Sequence, residues 1–326
     1  MRLRQRFLVL LLICCLPVPP AVADLRVKHG GRVGSKLNGS LNGACRRGIC
    51  RLSGGSRKGK NKNILLHRLD KFDTRGGAIK RLKINNSTGK VRTVVLSVTN
   101  PRGTFLTVPT RLKRRSDLVL LSPGGIQVKN RVFNNIGSLS LIAKPSFKIN
   151  NMRFNAIPVS GKSIKDQSVS PGKINIRSNL SVDGNLLIDS YGEILIQDSK
   201  IKASDSIRLV SSSPRQNTTV RFEKQDQNRV VLLNSSLAAA RGNLDIDVDR
   251  RFLDHDNQTY QSRNLNGQAS AAPAIQLHQS DLDAGGTMRL HARVNDHPGG
   301  MIPSILEIDS SDLQSSRLLS IKGVIN

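Results

Sequence analysis

At 326 residues the chain is long enough for one or two well-buried domains, but it has no Trp, two Tyr and an aromatic share of 3%, so its core must be built from Ile, Val and Leu. A net charge of +28 would attract polyanions, yet the aromatic platforms on which bases stack are missing and no nucleic-acid-binding motif is present. Six scattered His residues, with no serine-nucleophile elbow, phosphate loop or calcium-binding glycine–aspartate nonapeptide, argue against an enzyme and call for no cofactor.

The chain opens with Arg2, Arg4 and Arg6, continues with the apolar run Phe7 to Leu16, and reaches the small residues Ala21-Val22-Ala23. That order reads as a secretory signal peptide over residues 1–23, with an apolar run too short to span a membrane. Bulky Ile13 in front of Cys14 speaks against lipid attachment at Cys14 or Cys15. No later apolar run nears the length of a membrane span, so the mature chain is expected to be soluble or surface-associated.

Two cysteines then remain, Cys45 and Cys50 in ACRRGIC. In an oxidising compartment a pair this close most simply forms a small disulfide loop, with free thiols as the alternative. A metal site needs more ligands than nearby His29 can add, and none is expected.

Charge is unevenly spread. From Asp24 to Lys165 there are 31 Lys+Arg against 4 Asp; from Asp166 onward there are 17 against 19 acids. The change falls beside the turn-rich VSGKSIKDQSVSPGK (159–173), which predicts a basic unit over 24–165 and a second unit over 166–326.

The basic unit carries four phrases: GACRRGICRLSGG (43–55), NILLHRLDKFDTRGG (63–77), VVLSVTNPRGTFL (94–106) and DLVLLSPGGIQV (117–128). In the last, Pro123 fixes φ and removes a donor, ending the strand LVLL. Gly124 and Gly125 then admit positive φ, and Ile126 and Val128 restart alternation on a new face. Asn100-Pro101-Arg102-Gly103 is the same device between VVLSV and TFL, so both read as corners of a coil.

In this order, over about residues 30–150, the phrases resemble the filamentous haemagglutinin-type secretion domain at the amino end of two-partner secretion exoproteins, closest to the variety in cyanobacterial members. Leu65-Leu66-His67-Arg68-Leu69 stands for the family's Leu-Phe-His-Ser-Phe-like phrase, with Leu66 and Leu69 in place of aromatics. Ser122-Pro123-Gly124-Gly125-Ile126 stands for its Asn-Pro-Asn-Gly-Ile-like phrase, with Ser122 and Gly124 in place of asparagines. The resemblance implies a domain that crosses the inner membrane unfolded, is read by the periplasmic domains of an outer-membrane β-barrel transporter in a Gram-negative-type envelope, and folds outside as a β-helix. Candidates for that recognition are His67, Asn100, Pro101, Ser122, Pro123, Gly124, Gly125 and Ile126.

Two basic runs are candidates for polyanion contact: Arg57, Lys58, Lys60 and Lys62 in SRKGKNK, and Arg111, Lys113, Arg114 and Arg115 in RLKRR. An anionic surface polysaccharide, lipopolysaccharide or an acidic groove on the transporter suits an exported chain better than nucleic acid; a solvated charged face is the plainer alternative.

The second unit repeats one phrase. In ILIQDSKIKASDSIRL (194–209), counted from Ser199, apolar residues stand at −5, −3 and +2, a small residue at +4, and apolar residues near +8 and +10. The pattern returns around Ser235, Ser280 and Ser311. Period two means short strands with one buried face, and the small residue suits a tight corner. One repeated phrase favours an all-β, right-handed parallel β-helix over a β-sandwich, since stacked turns bury one another. The anchors lie 36, 45 and 31 residues apart, so each interval must hold either a degenerate second coil or an excursion such as 254–273.

Acids offer little chemistry. Asp70 and Asp73 are almost alone in the basic unit; Asp245, Asp247 and Asp249 alternate like the solvent face of a strand; and Asp254-His255-Asp256 reads as a solvated loop. The final LLSIKGVIN carries no polar cap, which predicts a truncated or minimal exoprotein, edge-to-edge self-association, or a covered last coil. The whole reads as a secreted surface exoprotein with an adhesin-like stem, or else a secreted β-helix that binds or degrades polysaccharide.

Overall fold

The computed structural model describes residues 23–27, 33–87, 90–129, 133–156, 172–212, 228–251, 273–295, 302–303 and 305–325. Among these there is no helix, and so none long and apolar enough to cross a membrane. The expected signal segment up to residue 22, His29, and Asp254-His255-Asp256 lie outside the described residues.

The chain winds as a parallel β-helix. One ladder runs its length: Lys71–Asp73, Thr104–Leu106, Ile126–Lys129, Ile174–Arg177, Ile194–Gln197, Val230–Leu233, Ile275–His278, Ile305–Asp309 and Val324–Ile325, each parallel to the next. In the acidic half each turn continues through a short second ladder, represented by Lys200–Ala203 and Ser236–Ala239, and then a third, represented by Ile207–Ser212 and Leu244–Arg251. In the basic half Thr110–Leu121 and Phe133–Ala143 bend across both later ladders, with register shifts between Arg111 and Leu118 at the bend.

Alternation explains the interior. Ile194, Ile196, Ile201, Ile207 and Leu209 turn inward onto Val230, Leu232, Leu237, Leu244 and Ile246 of the next turn, and all are buried. One core cluster runs from Ala23 to Leu306, and the coils continue across residue 165: Val128 pairs with Ile176 and Leu141 with Ile188.

Val230 stacks directly on Ile194, and Ile275 on Val230, so no coil stands between them; the residues that lengthen these intervals, 254–272 among them, lie outside the described residues. The structure also adds a copy of the phrase that the repeat does not reveal: Ile174, Ile176, Leu180, Val182, Leu186 and Ile188 occupy the same inward positions.

The fixed place of serine within the repeated phrase has a hydrogen-bonding cause. Asp198, Asn234, Gln279 and Ser310 turn the corner with φ of 50, 46, 47 and 48°. The following serine folds its hydroxyl back onto the carbonyl two residues earlier, as Ser235 does to Leu233 at 2.7 Å. That oxygen accepts the backbone N–H of the serine one turn before: Ser178 to Ser199 at 2.9 Å, Ser199 to Ser235 at 3.3 Å, Ser235 to Ser280 at 3.3 Å and Ser280 to Ser311 at 3.0 Å. A buried corner thus satisfies its own donors, as interior polar groups must. The small residue at +4 differs from expectation: Ala203, Ala239 and Ala284 end a strand and point inward, so interior width rather than the corner keeps them small.

At the amino end Asp24–Arg26 runs antiparallel to Ala44–Cys45 and to Lys71–Asp73, and Ser35–Leu37 runs antiparallel to Gly48–Gly54, closing the first coil. Cys45 and Cys50 are bonded within this cap, 5.7 Å apart at Cα and both buried. The hairpin of Ser146–Ile149 with Met152–Asn155 covers the outside of the third ladder and buries Val95, Val119, Leu121 and Ile142 against Phe154. Those strands are therefore apolar on both faces, which is why VVLSV and LVLL do not alternate.

Candidate recognition surface of the basic half

The two Pro-Gly corners, 22 positions apart in sequence, stack on one edge of the helix. Thr104 pairs with Ile126, and the Thr104 hydroxyl donates to the Ser122 hydroxyl at 3.0 Å, which in turn donates to the Gly125 carbonyl at 3.0 Å. The Asn100 side-chain oxygen accepts the Arg102 N–H at 2.9 Å, holding Pro101 and Arg102 outward. A side-chain carbon on Gly124 would collide with the Pro101 carbonyl oxygen, and one on Gly103 would lie 2.6 Å from the Gly124 carbonyl oxygen. Gly103 and Gly125 also need positive φ, 82 and 102°.

The structure brings Asn100, Pro101, Ser122, Pro123, Gly124 and Gly125 together, but presents them unequally. Pro101 is exposed and Asn100 and Gly124 partly so; Ser122, Pro123, Gly125 and Ile126 are buried. His67 lies inside, fully buried, its Nδ1 3.3 Å from the Ser35 hydroxyl of the cap and its ring against Gly55. Burial pushes its pKa down to about 4, so the ring is neutral at physiological pH. Its direct neighbours are cap and interior, not solvent.

The basic unit's few acids serve the fold. Asp24 is buried and receives Arg26 at 2.8 Å and Lys71 at 3.0 Å. Burial pushes its pKa up, but the hydrogen bonds from Arg26 and Lys71 outweigh this and hold it below the usual value. Asp73 binds Arg75, whose guanidinium lies 3.4 Å over the Phe105 ring, and Asp117 accepts the Ser138 N–H at 2.8 Å.

The two basic runs lie on different ladders. Arg57, Lys58, Lys60 and Lys62 belong to the hairpin that Ser56–Lys58 makes with Ile64–Leu69, where the Arg57 guanidinium donates to the Lys62 carbonyl at 2.9 Å. RLKRR crosses the bend of Thr110–Leu121. Buried Asn86 fixes it there, donating to the Arg114 carbonyl and accepting the Arg114 N–H, both at 2.8 Å. Arg115 turns to Asp183 at 3.2 Å, whereas Arg111 and Lys113 face a shallow groove of about 680 Å³.

Sequence reasoning missed two residues of that groove. Arg51 and Lys83 lie in register with Arg111 on adjacent parallel strands, Arg51 opposite Lys83 and Lys83 opposite Arg111. The available signal was that each sits between two buried residues, Cys50 and Leu52, Leu82 and Ile84, Thr110 and Leu112. No carboxylate lines the groove. In the acidic half, by contrast, cations meet acids on the next coil: Arg208 and Arg289 flank Asp245, Arg293 reaches Asp247 at 3.3 Å, and Arg241 reaches Asp205 at 2.8 Å. Asp245 and Asp247 are thus components of cross-strand charge pairing on an outer face. Among the described residues no group of His, Cys, Asp and Glu is arranged to hold a metal.

No known family profile and no curated protein matches the chain. One solved structure, described as a filamentous hemagglutinin secretion domain, superposes with a TM-score of 0.41 at 12% identity, over 93% of this chain and 99% of that one. A superposition this loose carries no assignment.

Proposed function

We propose that the protein is an exported surface exoprotein of the two-partner kind. Residues 24–165 act as the unit read by the periplasmic domains of an outer-membrane transporter, and residues 166–326 form an adhesin-like stem displayed at the surface of a Gram-negative-type envelope. The division is one of task, since the coils are continuous. The observation that carries the reading is that the first of the four phrases resembling the secretion domain lies in the amino-terminal cap and the other three occupy successive turns behind it, with their two Pro-Gly corners stacked at one edge.

The architecture suits export physically. Each coil is sheltered by its neighbours, so turns can form one at a time as chain emerges, starting from a cap that emerges first. The Cys45–Cys50 loop spans 5 positions and would not obstruct passage of an unfolded chain. The exposed recognition edge is Asn100, Pro101 and Gly124; Ser122, Pro123, Gly125 and Ile126 shape it, and His67 positions the strand beneath the cap. An anionic surface polysaccharide is the second partner in this reading. No catalytic step is assigned to any residue.

The test is to produce the full chain with and without a β-barrel transporter bearing periplasmic domains, and to repeat it with residues 24–150 deleted. Extracellular protein should require both the transporter and the deleted segment. Release unchanged by either removal would reject the export role.

A further inference from the structure

Arg51, Lys83 and Arg111 stack cation on cation across adjacent strands of one parallel ladder. Strands in such a ladder lie about 4.8 Å apart, and like charges placed directly opposite one another destabilise a sheet. The coil does not need this arrangement, because the acidic half solves the same packing with alternating signs, as at Arg208, Asp245 and Arg289. Nor does the basic half neutralise it from within: none of its four acids, Asp24, Asp70, Asp73 and Asp117, lines the groove, and Asp24, Asp73 and Asp117 are committed to Arg26 and Lys71, to Arg75, and to the Ser138 N–H. Lys113 adds a fourth cation beside the row, Asn38 and Asn85 supply neutral polar groups, and Ile49 leaves 38% of its surface exposed at the groove wall.

We propose that this groove binds a linear acidic polysaccharide lying along the helix axis, with successive anionic groups meeting Arg51, Lys83 and Arg111 in turn. A sugar chain carrying one carboxylate per ring presents charge at a spacing close to that of the coils. Its hydroxyls match the amide side chains, and its ring faces match exposed Ile49. Duplex nucleic acid carries one charge per about 1.7 Å of axis, a far denser array than one cation per coil, and the groove offers no aromatic ring to a base. From the export reading the proposal takes only that this face meets the cell exterior; binding by purified protein stands or falls without it.

The experiment is calorimetric titration of the full mature chain with polygalacturonate fragments of defined length at physiological ionic strength, with neutral dextran and a short DNA duplex as comparisons. Polygalacturonate should bind in a salt-sensitive way, dextran should not, and the duplex should bind more weakly. The triple variant R51Q/K83Q/R111Q should lose about tenfold in affinity or more, whereas a variant with the same change in charge at cations outside the groove should lose less than about twofold. Because Arg57, Lys58 and Lys60 are themselves polyanion candidates, the deciding control is K90Q/K148Q/R153Q, three exposed cations outside the groove, which should lose less than about twofold. The ladder variant should melt no lower than the parent, because repulsion is relieved; the single change Lys83→Gln serves if the triple variant fails to fold, and should weaken binding in the same direction. No binding of polygalacturonate, equal losses in the two triple variants, or a duplex bound as tightly would overturn the proposal.

Discussion

The backbone N–H of Ser199 donates to the hydroxyl of Ser235 across 3.3 Å, from one coil to the next. Both residues are buried. Ser235→Ala removes the acceptor and leaves the Ser199 donor stranded, so unfolding free energy should fall by roughly 1–3 kcal/mol. Urea denaturation measures it; a midpoint unchanged from the parent would mean the ladder of serines contributes nothing to stability.

The stacked corners predict a contrast between two glycines. Gly124→Ala forces a side-chain carbon into the Pro101 carbonyl, backbone against backbone, and should cost more than about 3 kcal/mol. Gly77→Ala meets nothing within 4 Å and pays only for its φ of 72°, about 1–2 kcal/mol. Thermal melting of both variants reads the difference, and equal losses would show that corner stacking is not the constraint.

How much of this could be read beforehand depends on where each residue's neighbours lie in sequence. The serine phrase was legible because its hydrogen-bond partners are copies of itself. The coil at 174–190 escaped notice because its second strand is offset by one residue, Leu180 pairing with Ile201 where Ile174 pairs with Ile194, and because Val182 stands where later copies have alanine or serine. Arg51 and Lys83 were invisible as a pair, since only the winding of the chain sets them side by side. For His67 the resemblance to a known phrase pointed toward recognition, while the cap strand carrying Ser35 encloses it. A single sequence shows alternation, but not which second layer will cover an outer face.

His67 also predicts a pH dependence. Its folded pKa of about 4 lies below the ordinary 6.5, so the unfolded chain binds the proton first and stability falls as pH drops from about 6.5 toward 4. The full effect is on the order of 3 kcal/mol. Burial also lowers the pKa of His291, which acts in the same direction, while burial raises that of Asp189, which removes stability as pH rises above the carboxylate's ordinary range. The difference between parent and His67→Gln isolates the one group: the variant's stability should vary less between pH 6.5 and 4. Parallel curves for the two proteins would contradict the buried neutral ring.

The cap should depend on its disulfide. Replacing Cys45 and Cys50 by serine removes a short cross-link and should destabilise the protein by about 2 kcal/mol. Hydrogen exchange should show the loss first in Asp24–Arg26 and Gly48–Gly54, which the bond ties together, and least in the distant coil around Ile275–His278. Uniform loss of protection along the chain would mean that the cap is not a separate closing element.

Stacking of consecutive coils is the premise on which corner, groove and export arguments all depend, and oxidative cross-linking tests it directly. Lys202 and Ala238 are register partners on adjacent parallel strands, whereas Lys202 and Asp283 are two coils apart. Lys202→Cys with Ala238→Cys should close a disulfide under mild oxidation, since neighbouring strands lie at bridging distance; Lys202→Cys with Asp283→Cys, at about twice that separation, should stay reduced. Efficient bonding of the second pair in place of the first would contradict the stacked-coil structure.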